Sequence, residues 1–95
     1  MPAGRILSAH NVERIEHGRV QIEYCRALLR EMRCFAEYLA EAERHVKAIL
    51  QVRRNNTADT RGNEIVLRFG AQQKCWAWKD AVVAREKCER EVNHG

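Results

Sequence analysis

Between Asn11 and Arg54 the chain contains no proline, and Gly18 is its only glycine. So long a run without a helix breaker constrains the fold more than any other feature. It predicts one very long amphipathic helix over about 9–54, or a short and a long helix divided at Gly18. Apolar residues recur at Leu28, Met32, Phe35, Leu39, Ala42, Val46 and Ile49, in alternating steps of four and three. This is a coiled-coil-like seam. A second row, Ile22, Cys25, Leu29, Met32, Ala36 and Leu39, widens it into a stripe able to meet two neighbours at once. Glu31, Glu37, Glu41, Arg44 and Lys47 mark the opposite face, and Glu43–Lys47 is a favourable four-residue ion pair. The plainest expectation for the stripe is the core of a helical bundle; a dedicated partner groove is the other.

Either Ser8 or Asn11 is placed to cap the helix start. Glycine inside a helix costs about 1 kcal/mol relative to alanine, so a break at Gly18 would fold a short first helix, about 9–17, back on the long one. Arg53 and Arg54 suit a last turn, where cations complement the helix dipole. Residues 55–63 are dense in Asn, Thr, Asp and Gly and read as a loop. In the next six residues Ile65, Leu67 and Phe69 alternate with Glu64, Val66 and Arg68. That alternation reads as a short extended segment at 64–69; helix is the alternative, because the chain offers no second strand to pair with it. A second helix is expected over 71–92. Ala71, Cys75, Trp78, Ala81, Val82, Cys88 and Val92 share one face, with Trp76 and Val83 on a neighbouring one.

The expected fold class is therefore mainly all-α. It is a single-domain antiparallel helical hairpin or small helical bundle with one very long helix and a short strand at 64–69. With the loop centred near residue 61, facing residues have numbers summing to about 122. That register sets Cys34 against Cys88, Leu39 against Val83 and Val46 against Trp76. The second helix then covers only the half of the first that ends near Arg54. Val12, Ile15, Ile22, Cys25, Leu28 and Leu29 are left as an oligomer or partner interface, with a homodimer expected there or another protein in its place.

Charge is unevenly spread. The chain carries 17 Lys and Arg against 13 Asp and Glu, a net of +4. Arg44, Lys47, Arg53, Arg54, Arg61, Arg68, Lys74 and Lys79 face only Asp59 and Glu64 within their stretch, so that stretch is +6 and the remainder −2. With Trp76 these residues form a candidate basic tip for an acidic protein surface or for nucleic acid. The competing expectation is a solvated basic loop with the tryptophans in the core.

Other chemistry is sparse. Cys25, Cys34, Cys75 and Cys88 lack zinc-site spacing, and Met1 to Ser8 has no apolar leader, so reduced thiols in a cytoplasmic protein are expected. His10, His17 and Cys25 are too widely spaced to point to a metal, and no cofactor is expected. There is no glycine-rich phosphate loop, no helix-turn-helix signature and no apolar run of membrane-spanning length, and no enzymatic activity is expected. The functional expectation is a non-enzymatic protein-binding module: a small cytosolic helical adaptor or inhibitor of a larger complex, such as a nuclease or CRISPR assembly. Small phage and mobile-element proteins of that kind are similar in style, being short, charged and motif-free. The alternative is direct DNA or RNA binding through the basic tip.

Overall fold

The computed structural model describes residues 9–94, with side chains from Asn11 onward. Two elements make up the described chain: α1 (Ala9–Arg54) and α2 (Ala58–His94). They pack antiparallel as an extended all-α hairpin with principal-axis extents of 79 × 27 × 13 Å.

Helix α1 runs unbroken through Gly18, correcting the alternative of a short first helix folded back on the long one. A lone glycine lowers helix propensity but does not end a ladder of this length. The helix is already under way at Ala9, so Asn11 lies inside it rather than capping it; Ser8 lies outside the described residues.

The turn is shorter than the expected loop over 55–63, because α2 begins at Ala58. Thr57 caps it. Its Oγ1 accepts from the Thr60 backbone N–H at 3.2 Å, and the Thr57 N–H donates to Thr60 Oγ1 at 3.0 Å. This is the reciprocal logic of a capping box, with threonine in the position usually held by glutamate. The Thr60 hydroxyl also reaches the Asn55 carbonyl at 2.7 Å, and Arg61 donates to Asn56 Oδ1 at 2.6 Å. Asp59 adds a negative charge to the first turn, where the dipole favours it.

The expected strand at 64–69 is likewise helical, and the described residues contain no strand. The local pattern that matters is four residues rather than two: Glu64 pairs with Arg68 one turn on. Ile65 and Phe69 lie four apart on the outer face, while Leu67 turns inward and is half-buried.

Starting α2 early also shifts the register. Glu31 meets Arg85 and Tyr38 stacks on Trp78, two pairs whose numbers each sum to 116 rather than 122. Cys34 thus lies about level with Ala81 instead of Cys88, Leu39 falls short of Val83, and Val46 falls short of Trp76. The longer α2 reaches back to about Val20 of α1, and Glu91 near its end lines a groove with Val12, Glu16 and Val20. The half-length coverage expected from sequence is therefore corrected.

The inner seam of α1 consists of Val20, Tyr24, Ala27, Glu31, Cys34, Tyr38, Glu41, His45, Ala48 and Val52, every one at least half-buried. Its steps of four and three make a coiled-coil seam. Glu31 and Glu41, expected on the solvent face, belong to it. On α2 the inward residues include Ala71, Cys75, Trp78, Ala81, Val82, Cys88 and Val92, as the sequence indicates. Among the described residues only Ala48, Ala71 and Ala81 are buried. Alanine at these points lets the two helices approach closely. At Gly70 a Cβ would stand 3.3 Å from Glu41 Oε2, another sign of close approach.

Candidate interaction surface

The stripe with the largest apolar side chains on α1 does not face α2. Leu28, Met32, Phe35, Leu39 and Val46 each sit one residue on from a seam position, about 100° round the helix. They remain 37%, 61%, 38%, 50% and 54% exposed. The sequence-derived interface residues Val12, Ile15, Ile22, Cys25, Leu28 and Leu29 are all exposed as well. For Ile22, Cys25, Leu28 and Leu29 the exposure comes from angular position, since α2 runs alongside α1 back to about Val20; Val12 and Ile15 lie beyond its end.

A second apolar row lies on the outside of α2. Phe69, Trp76 and Val83 precede the inward Ala71, Trp78 and Arg85 by two residues, about 200° round the helix. They are 59%, 61% and 63% exposed, and Ile65 extends the row one turn toward the tip. Trp78 instead belongs to the seam: its ring lies 5.0 Å from that of Phe35 and stacks on Tyr38 at 5.9 Å.

Polar contacts hold the helices together where apolar ones do not. Arg85 donates to both carboxylate oxygens of Glu31, at 2.7 and 3.2 Å, and to Glu89 at 2.7 Å. This bidentate contact lowers the Glu31 pKa, its hydrogen bond to Arg85 being the main cause, and raises that of Arg85. Nearer the turn, Glu64 accepts from Arg68 and from His45 Nε2 at 2.8 Å. Those bonds, Arg68 first, hold the Glu64 carboxyl down at about 2.

The basic set is spread along the hairpin. Arg53, Arg54 and Arg61 cluster within a turn or so of the Asn55–Thr57 bend. Trp76 and Lys79 lie farther up α2; Trp76 is nineteen residues beyond Thr57, or about 28 Å. Arg44 pairs with Glu41, Lys47 with Glu43, Arg68 with Glu64 and Lys74 with Glu37. Among the described residues Arg53, Arg54, Arg61 and Lys79 have no carboxylate within salt-bridge distance. The same holds for Arg26, Arg30 and Arg33, exposed at helical spacing on the flank of α1 opposite the apolar stripe. These three lie outside the basic stretch from Arg44 to Lys79 that dominates the charge pattern, although their steps of four and three are legible in the sequence.

All four cysteines are free thiols. His17 Nε2 lies 3.0 Å from Gln21 Nε2, and the His10 side chain is outside the described residues. Among the described residues no group of three or more His, Cys, Asp or Glu side chains could hold a metal, and no helix is long and apolar enough to cross a membrane. Comparison with known proteins finds no matching family, no matching curated protein and no matching solved structure.

Proposed function

We propose that this chain is a non-enzymatic protein-binding module, a small helical adaptor or inhibitor that acts on a larger complex. One observation carries the reading. Among the described residues fifteen large apolar side chains are at least 37% exposed, while the buried core consists of three alanines. Exposed apolar surface on that scale is characteristic of a protein interaction site. The outer row of α2, Ile65, Phe69, Trp76 and Val83, has the spacing of a helix that lays anchors into an apolar groove of its target. Trp76 is its central anchor. The free thiols suit a reducing, cytoplasmic setting.

The arginines without carboxylate partners suit a target that presents negative charge: an acidic protein surface, or the nucleic acid held by a complex such as a nuclease or CRISPR assembly. They also support a second reading, direct DNA or RNA binding, in which Arg53, Arg54 and Arg61 contact the backbone.

A capture experiment separates the two. The chain is used as bait in lysate treated with nuclease and washed at high salt, beside Trp76→Glu and Arg53→Glu/Arg54→Glu/Arg61→Glu variants. A stoichiometric protein retained by the parent and lost with Trp76→Glu supports the module. Binding that vanishes with nuclease, and a titration with nucleic acid that weakens steeply with salt and with the triple reversal, would replace it by the second reading.

A further inference from the structure

We infer that the α1 stripe is covered by a second copy of this chain, packed antiparallel on the first about a two-fold axis near Glu37, to give a four-helix bundle. This inference rests on the reading of the chain as a binding module, but it concerns a different face from the outer row of α2. The first argument is the stripe's own symmetry. Its eight positions run from Cys25 to Ile49 in steps of three and four that read the same from either end. A two-fold contact requires that residue i meet j and j meet i. Reversal about residue 37 sets Cys25 on Ile49, Leu28 on Val46, Met32 on Ala42 and Phe35 on Leu39. Two of the four pairs match a long or branched side chain with a small one, as interdigitating layers require. Gln21 and Arg53, the next positions outward, are both polar and end the stripe symmetrically.

The second argument is overlap. The paired part of the hairpin runs from about Val20 to the turn, and its midpoint falls within about two residues of the same axis. The two copies therefore overlap along the whole length of their paired helices. Two helices side by side, each about 10 Å across, over some 55 Å of overlap offer on the order of 1,000 Å² per partner. That exceeds the roughly 800 Å² per partner of a standard stable interface.

The third argument is charge. The stretch from Arg44 to Lys79 is +6 and the remainder of the sequence −2. In the antiparallel arrangement Glu16 and Glu23 of each copy come within about one turn of the level of Arg53 and Arg54 of the other, so carboxylates of one hairpin lie near the basic bend of its partner.

Disulfide trapping tests the register. In a Cys34→Ala/Cys75→Ala/Cys88→Ala background only Cys25 remains. The two copies of Cys25 would lie about 36 Å apart, so mild oxidation should leave this parent as a monomer on a non-reducing gel. Adding Ile49→Cys should convert most of the chain to a covalent dimer closed by two equivalent Cys25-to-49 links. Sedimentation of the untouched chain should give twice its 11.1 kDa mass. Met32→Glu with Leu39→Glu should raise the dissociation constant at least a hundredfold. A helical monomer at high micromolar concentration would overturn the proposal, as would a dimer that links in the parent or fails to link in the Ile49→Cys variant. Trp76→Glu should leave dimerisation intact, so loss of the outside partner and loss of the dimer are read separately.

Discussion

The three interior glycines give a graded test of the continuous helices. Nothing stands within 4 Å of a Cβ built on Gly18 or on Gly62, and no described glycine has positive φ. Replacing either by alanine adds a methyl group in open space and removes unfolded-state freedom. Each substitution should stabilise by about 0.5–1 kcal/mol. The two sites are far apart, so the pair should add to about 1–2 kcal/mol. For a chain of this size 1 kcal/mol corresponds to roughly 4–8 °C in Tm. Gly70 is different: the added Cβ meets Glu41 Oε2 at 3.3 Å, and that carboxylate also holds Arg44 at 2.7 Å. The carboxylate must move, so Gly70→Ala should gain less than the other two. Urea unfolding followed at 222 nm, at one fixed chain concentration, gives all three values. A lower midpoint for Gly18→Ala would mean that residue 18 needs a backbone alanine resists. The unbroken α1 described above would then be wrong.

Acid should loosen the turn end of the hairpin. The Glu64 carboxyl is lowered from an ordinary 4.5 to about 2 by Arg68 and His45. Its contribution is therefore complete above about pH 4.5 and is lost as pH falls toward 2; a Glu64→Gln variant should show a flatter urea midpoint across that window, and an unchanged slope would remove Glu64 as the cause. The tryptophans should behave oppositely in the same assay. Trp78→Ala removes a ring packed on Phe35 and Tyr38 and should cost about 2–3 kcal/mol. Trp76→Ala, on the outside of α2, should stay within about 0.5 kcal/mol. Equal losses at the two positions would contradict the assigned faces of α2. Glu31→Ala should lower the midpoint by removing the bidentate contact between the helices and leaving Arg85 only Glu89 on its own helix, and Glu31→Gln should restore part of that loss.

The inner face of α2 was legible in the sequence because its large and small apolar residues, Ala71, Trp78 and Ala81 among them, fall on one helical row. The inner face of α1 was not. Periodicity marks where bulky apolar residues lie, and here the bulky row is the one left outside. The seam actually used contains Glu31, Cys34, Glu41 and His45, whose partners are tens of residues away. No local pattern announces a pair such as Glu31–Arg85. The turn is hard to place from sequence for a related reason. Thr57, Asp59 and Thr60 are turn formers by composition, yet the same hydroxyls and carboxylate are what start a helix. Placing α2 late displaced the register, and with it the expected coverage of α1 and the grouping of Trp76 with the basic turn. The exposure of Val12, Ile15, Ile22, Cys25, Leu28 and Leu29 is legible in the sequence, for a reason the structure largely replaces.

The slenderness of the hairpin fixes a distance as well as a shape. A chain of 95 residues packed as a globule would have a radius of gyration of about 12 Å; here it is 22.5 Å, along a long axis of 79 Å. The molecule is a ruler. The arginines at the bend and the start of α1 are held about 68 Å apart by continuous hydrogen-bonded backbone, with only a three-residue bend at one extreme. Anything that grips both ends must present its two contacts at that separation, and a target that closes or opens by a nanometre or two would lose one grip while keeping the other.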